Sequence, residues 1–143
     1  MFVTLFYGVL DLRSGKLWYV NAGHNPPLLK RSDGRLHRLD LRNGPVMGAS
    51  KTFRYTEGRL SLQAGDTLLV YTDGVTEAAD GKQVLFSEKR LMRLLSEAGD
   101  PSPEAMVQAV LEAVNVFQEG EAPADDMTLL ALRFRGNPFS YDI

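Results

Sequence analysis

Three aspartates at the ends of two apolar runs are the residues of this sequence with the clearest potential for chemistry. Asp73 follows a run that reads LLVY and precedes Gly74, and Asp125 and Asp126 shortly precede a second run that reads LLAL. Carboxylates delivered at strand ends, with no thiolates nearby, form the oxygen-rich ligand set that suits Mg²⁺ or Mn²⁺. The alternative is an ordinary Asp-Gly turn and a solvated acidic loop. The residues alone leave both interpretations open.

Composition limits the classes of function. The 143 residues are enough for one domain with a sizeable core, and 44% apolar and 24% charged residues are typical of a globular protein. A net charge of −2 gives no general attraction for nucleic acid or for an anionic membrane surface. We therefore expect neither as a partner.

The absence of cysteine excludes disulfides and thiolate metal sites and fits a reducing compartment. No apolar run approaches the length of a membrane span. The apolar start, MFVTLFYGVL, has no basic leader and no convincing cleavage site, so it is interpreted as a strand. We expect a cytoplasmic protein.

The first half of the chain is predicted to consist mainly of β-strands. β-favouring runs separated by turn residues predict a hairpin over 2–22 and a strand pair over 28–39. A further strand pair, with a bulge at Gly58, is outlined by Phe53, Tyr55, Leu60 and Leu62. The LLVY run is then the central buried strand, and residues 129–134 form the last one.

Two amphipathic helices are predicted in the second half. Apolar spacing predicts the first over Glu88–Ala98, with Ser87 as its N-cap. The second starts with Ser102 as cap and Pro103 at the first helical position, and its apolar stripe continues to Gly120. Both stripes are interpreted as faces that pack on the core.

His24 lies in the rigid loop GHNPP, which the two prolines hold extended. Its imidazole is a candidate base or metal ligand. The alternative is that its ring nitrogens and the Asn25 amide tie the loop to neighbouring backbone. Because no second histidine or cysteine lies at ligand spacing, the structural role is favoured.

Five segments in series resemble a known family. The chain is similar, over residues 1–135, to the C-terminal portion of a PPM-type metal-dependent serine/threonine phosphatase domain of the SpoIIE/RsbU branch. Residues 136–143 form a tail. The resemblance implies an α+β fold, an αββα sandwich of two antiparallel sheets flanked by helices, here lacking its N-terminal portion. The matching segments are MFVTLFYGVLD (1–11), YVNAGHNPPLL (19–29), GPVMG (44–48), LQAGDTLLVYTDGVTEA (62–78) and ADDMTLLALR (124–133).

The resemblance also implies the site and its chemistry. Asp73, in the TDG motif, and Asp125, the first aspartate of DD-x-T, correspond to metal ligands of a two-metal Mn²⁺ or Mg²⁺ site. A metal-activated water would attack phosphorus directly, so no catalytic side chain is required. The supporting positions implied around the site are Gly74, Asp126, Thr128, His24 and Asn25.

Two departures from the family pattern qualify this expectation. The family's upstream acidic strand and its D-x-x-G-H-G-like motif, which supply further ligands, do not occur in the sequence. We therefore expect an incomplete site, weak metal affinity and little turnover by this chain alone. The exposed edge of the strand over 2–10 would be free to pair with a second copy.

Three functions are compatible with these observations. The first is a phosphatase domain acting on a phosphoserine or phosphothreonine of a regulatory partner such as a STAS-type anti-anti-sigma factor. The second is a catalytically dead PPM-like module that binds proteins in bacterial signalling. The third is an unrelated β-rich binding domain whose carboxylates are surface turns.

Overall fold

The computed structural model describes residues 2–40, 43–120 and 125–137. Most of the predicted tail, 138–143, lies outside the described residues. Within the described ranges no helix is long and apolar enough to cross a membrane. The elements are β1 (Leu5–Leu10), β2 (Lys16–Ala22), β3 (Leu28–Lys30), β4 (Leu36–Arg38), β5 (Gly58–Ser61), β6 (Thr67–Tyr71), α1 (Asp73–Thr76), α2 (Ser87–Glu97), α3 (Pro103–Gln118) and β7 (Leu129–Arg133).

The strands form two antiparallel sheets, which confirms the predicted architecture. The first sheet has the order β1-β2-β5 and the second the order β4-β3-β6-β7. The central strand β6 is paired on both sides, with Leu69 opposite Leu28 of β3 and Ala131 of β7. A strand with a neighbour on each side and apolar residues on both faces is buried, as the LLVY pattern predicts.

Apolar side chains fill the space between the sheets and the space under the helices. Leu17 and Tyr19 of β2 pack against Leu29 and Leu68 of the second sheet. On the other face of the second sheet, α2 and α3 contribute a larger cluster, whose buried members are Leu28, Leu69, Tyr71, Val75, Ala78, Phe86, Leu91, Leu95, Met106, Val110 and Val114. The helical stripes therefore pack on the core, as predicted.

The outward face of β1 is apolar and remains accessible. Leu5, Tyr7 and Val9 alternate along the strand and are 40%, 59% and 49% exposed. Phe6 and Leu10, on the opposite face, pack against the cluster between the sheets. In the described part of the chain β1 pairs only with β2, so one edge and one apolar face of this strand lack a neighbour.

The strand pair predicted around residues 53–62 is wrong in its first half. Only Gly58–Ser61 forms a strand. Phe53 and Tyr55 form an edge-to-face pair with centroids 5.0 Å apart, and the Tyr55 hydroxyl donates to the Pro45 carbonyl at 2.9 Å. The two rings pack over the neighbouring loop instead of pairing in a sheet.

The predicted bulge at Gly58 is also wrong. Gly58 pairs in regular register with Tyr19 of β2. A Cβ atom at residue 58 would lie 2.5 Å from the Tyr19 ring, so the glycine makes room for this aromatic side chain. The residue is a glycine because the Tyr19 ring packs against it, and not because the backbone is irregular there.

The predicted N-caps of the two long helices have different outcomes. Ser102 caps α3 as expected, because its hydroxyl accepts from the Ala105 N–H at 3.2 Å. Ser87 is the first residue of α2 and has a φ of 68°, and no side chain caps that helix. The preceding residue, Phe86, is buried against the Phe117 ring. The entry to α2 is therefore fixed by aromatic packing instead of a cap.

A buried carboxylate joins the start of β6 to the end of β3. Asp66 is fully buried and accepts three hydrogen bonds. Its Oδ1 accepts from the Ser32 N–H at 2.9 Å. Its Oδ2 accepts from the Gln63 N–H at 2.8 Å and from Arg31 Nη1 at 2.7 Å. One side chain thus holds the turn before β6 and the turn after β3.

The substitution Asp66→Ala is expected to lower the free energy of unfolding by about 3 kcal/mol, because it leaves buried donors and the Arg31 charge without their partner. Urea denaturation measures this change. The matched control is Asp33→Ala, which removes an exposed aspartate that also bonds an arginine and a backbone N–H in a turn. Equal losses for the two variants would contradict the role given to Asp66.

Candidate metal site at the ends of β6 and β7

The candidate site is built where the β6–β7 ladder ends. The last pair of the ladder is Tyr71 opposite Leu129. Backbone pairing continues for one more residue, because the Thr72 N–H donates to the Thr128 carbonyl at 3.1 Å. Asp73 then begins the short helix α1. The ladder therefore delivers the TDG and DDMT segments to the same end of the sheet.

The two segments touch at Gly74. A Cβ atom at this position would lie 2.4 Å from the carbonyl oxygen of Asp126 and 3.4 Å from that of Asp125. Only a residue without a side chain allows this approach. Asp73 immediately precedes Gly74, and Asp125 immediately precedes Asp126. The contact between Gly74 and Asp126 therefore brings the two acidic loops together.

Thr72 connects the same two segments through its side chain. Its hydroxyl donates to the Asp126 carbonyl at 3.3 Å and accepts from the Thr128 N–H at 2.9 Å. Thr128 is thus held by its backbone. The orienting role predicted for Thr128 involves its main chain and the hydroxyl of Thr72.

The acidic side chains of this site face solvent. Asp73, Asp125 and Asp126 are all exposed, and none of them forms a salt bridge within the described ranges. Asp125 Oδ1 accepts from the N–H of Asp126 at 2.8 Å. Exposed carboxylates without cationic partners are chemically suited to a hard divalent cation. Over the described residues, however, no three histidine or acidic side chains form a group that could hold a metal.

The His24 loop is held by Asn21, a residue that the sequence did not single out. The fully buried Asn21 side chain accepts from the His24 N–H at 2.8 Å and donates to the His24 carbonyl at 3.0 Å. The Asn21 N–H in turn donates to Asn43 Oδ1 at 2.7 Å. The tie predicted for the His24 ring and the Asn25 amide is therefore made by Asn21. Asn25 lies half-buried in the same loop.

The His24 ring is half-buried. Its Nδ1 lies 3.5 Å from the Thr4 hydroxyl. Burial lowers the pKa of His24, and the charge of Asp73 acts in the opposite direction.

Thr72 and Asn21 are the site residues that sequence reasoning missed. A threonine directly before Asp-Gly predicts an N-cap of the helix that follows it. That pattern does not predict a hydrogen bond to a second loop. An asparagine at the end of a strand does not by itself predict a role in a site. The partner of Asn21 is the backbone of His24, and a backbone group leaves no pattern of residue types in the sequence.

Comparison with known proteins identifies relatives of this chain. The family model of stage II sporulation protein E (SpoIIE) matches residues 1–135. Protein IcfG of Synechocystis sp. is 35% identical over 132 residues, which are 92% of this chain and 20% of that protein. Phosphoserine phosphatase RsbU of Bacillus subtilis is 29% identical over 134 residues, which are 93% of this chain and 39% of RsbU. The chain thus spans well under half of either relative.

The fold has solved counterparts. The phosphatase domain of the cell fate determinant SpoIIE from Bacillus subtilis matches with a TM-score of 0.74 at 21% identity, covering 96% of this chain and 61% of that one. A second structure of that domain, described as Mn presoaked, also gives 0.74 at 21% identity and covers 96% of this chain and 59% of that one. The family match over residues 1–135 agrees with the two-sheet architecture. This chain belongs to the SpoIIE family, in the SpoIIE/RsbU branch of PPM-type phosphatase domains.

Proposed function

We propose that this chain is part of a metal-dependent protein serine/threonine phosphatase domain in which Asp73 and Asp125 are cation ligands. The observation that carries the proposal is the contact of Gly74 with the Asp126 carbonyl, because it keeps the two acidic loops together at the exposed end of the sheet. The names of the relatives support it, since RsbU is a phosphoserine phosphatase and the SpoIIE counterpart is a phosphatase domain.

The residues of this chain would bind and orient, while the cation would supply the chemistry. Bound Mn²⁺ or Mg²⁺ would activate water and neutralise charge on the phosphoryl group. Asp73 and Asp125 would hold the cation through carboxylate oxygens. Gly74 gives the Asp126 carbonyl its space, and His24 is proposed as a supporting residue of the site.

The proposed substrate is a phosphoserine or phosphothreonine on a regulatory protein, such as a STAS-type anti-anti-sigma factor. The acidic loops lie at an exposed sheet end, where a phosphorylated side chain of a folded partner can reach them. RsbU and RsbP, a second Bacillus subtilis phosphoserine phosphatase among the relatives, support this substrate class. We propose a cytoplasmic location, in keeping with the absence of cysteine.

Two further properties belong to this proposal. The described residues bring no third histidine or acidic ligand to Asp73 and Asp125, so this chain alone is proposed to bind the cation weakly and to turn over little substrate. The accessible edge and apolar face of β1, with Leu5, Tyr7 and Val9, are proposed to pair with a second copy.

The alternative is a catalytically dead module of the same family that binds a regulatory protein. The apolar face of β1 favours this function, since exposed apolar patches mark interaction sites. Metal binding distinguishes the two functions, because a dead binding module has no need of a cation at Asp73.

The first test measures Mn²⁺ binding by titration calorimetry and Mn²⁺-dependent phosphate release from a phosphoserine peptide. Asp73→Asn removes a charged oxygen ligand and is expected to weaken Mn²⁺ binding at least about tenfold and to abolish any phosphate release. Asp33→Asn, at an exposed turn between β3 and β4, is the matched control and is expected to change neither quantity.

Equal Mn²⁺ affinity in the unmodified chain and in Asp73→Asn would contradict the ligand assignment. The absence of Mn²⁺ binding and of phosphate release at every concentration tested, in the unmodified chain, would favour the binding module. Mn²⁺ binding that depends on Asp73 without phosphate release would support the incomplete site.

The second test uses Gly74→Ala. The added methyl group would lie 2.4 Å from the Asp126 carbonyl oxygen, so the two loops must separate. We expect a loss of about 1–3 kcal/mol in the free energy of unfolding, as for other overpacked positions, together with weaker Mn²⁺ binding.

Gly8→Ala is the control for this substitution. Its new Cβ would have a flexible Leu17 methyl as nearest neighbour at 3.2 Å, and a side chain can adjust where a carbonyl cannot. Unchanged Mn²⁺ affinity in Gly74→Ala would show that the contact between the loops does not determine the cation site.

A further inference from the structure

Thr72 occupies the N-cap position of α1 without capping that helix. Its backbone is extended, with φ of −88° and ψ of 163°, as an N-cap residue requires. An N-cap threonine ordinarily accepts a hydrogen bond from the second or third N–H of its own helix. Here no side-chain cap bond is formed. The hydroxyl forms its hydrogen bonds with another segment of the chain.

The Thr72 hydroxyl bonds both ways to the acidic loop. It donates to the Asp126 carbonyl at 3.3 Å and accepts from the Thr128 N–H at 2.9 Å. The two bonds enclose Met127 between them. A hydroxyl can serve as donor and acceptor at once, which no aliphatic side chain of the same size can do.

These bonds lie at the point where the sheet can no longer hold the two segments together. In the described part of the chain, the bond from the Thr72 N–H to the Thr128 carbonyl, at 3.1 Å, is the last backbone bond of this ladder before α1 begins at Asp73. Beyond it, in the described part of the chain, the Thr72 hydroxyl bonds to the acidic loop, Gly74 packs against Asp126, and Met127 packs against the core cluster that contains Val75. Among these contacts the Thr72 hydroxyl is the one that forms side-chain hydrogen bonds between the two segments.

We propose that Thr72 is a positioning residue, whose hydroxyl sets the separation of the Asp73 and Asp125 loops so that both carboxylates can bind one cation site. This inference rests on the proposed function and deepens it. Thr72 itself contacts neither cation nor substrate; it acts through the backbone of Asp126 and Thr128. The β-branched side chain is stiff at χ1, which suits a residue that fixes a distance.

The test compares Thr72→Val, which keeps the shape and removes the hydroxyl, with Thr72→Ser, which keeps the hydroxyl. Two readouts are measured on the full chain: amide hydrogen exchange by NMR at Thr128, and Mn²⁺ affinity by titration calorimetry. Thr72→Val is expected to speed exchange at Thr128 about tenfold, the equivalent of one hydrogen bond, and to weaken Mn²⁺ binding about tenfold or more. Thr72→Ser is expected to restore both values to near those of the unmodified chain.

Two controls separate positioning from a general loss of structure. Exchange at Leu68 and Leu132, which face each other within the β6–β7 ladder, is expected to be unchanged in Thr72→Val. Thr56→Val, at an exposed threonine outside both acidic loops, is expected to alter neither readout.

Each outcome decides between the hypotheses. Unchanged exchange at Thr128 in Thr72→Val, or faster exchange with unchanged Mn²⁺ affinity, would overturn the positioning role while leaving the proposed function intact. Failure of the unmodified chain to bind Mn²⁺ would overturn the proposed function, and with it the cation-positioning role. The exchange data would in that case still show whether the hydroxyl joins the two loops.

Discussion

The approach of the Gly74 backbone to the Asp126 carbonyl is the constraint on which the candidate site depends. It joins segments more than fifty positions apart in the chain, and it leaves no space for a side chain at residue 74. Carboxylates repel one another, so two acidic loops have no electrostatic reason to meet. The β6–β7 ladder forces the meeting, because its register places Tyr71 opposite Leu129. Asp73 lies two residues after Tyr71, and Asp126 lies three residues before Leu129.

The rigidity of that ladder comes from the position of β6 within the molecule. β6 has a strand on each side, one face against the first sheet and the other under α2 and α3. The Asp66 network then fixes its entry. A strand that is constrained at its edges, faces and start positions the residue after its end accurately. A loop alone would position a carboxylate less accurately. By contrast, β1 has one unpaired edge and an exposed apolar face in the described ranges, so the two sheets differ in how completely they are covered.

The sequence was informative where one local pattern determines the structure. The buried run of β6, the helical stripes and the Ser102 cap require only the residues within one element, and all were predicted correctly. The errors lie where tertiary packing overrides a local signal: Phe53 and Tyr55 pack on a loop, Gly58 yields space to Tyr19, and the entry of α2 is set by the burial of Phe86. Thr72 and Asn21 could not be found from side-chain patterns, because their partners are backbone groups. Those of Thr72 lie in the segment before β7, and those of Asn21 lie in the loop after β2, and only the fold determines where these groups lie.

The way the His24 loop is held bears on what its ring can do. Asn21 satisfies both backbone groups of His24, and Asn43 supports Asn21, because its Oδ1 accepts from the Asn21 N–H. A backbone tie fixes the loop without using the imidazole. The long contact with the Thr4 hydroxyl is the one hydrogen bond of the ring in the described part of the chain. The half-buried imidazole therefore retains hydrogen-bonding capacity beyond that contact. The structural role predicted for the His24 ring and the Asn25 amide thus belongs mainly to Asn21, and the functional role of the imidazole stays a prediction.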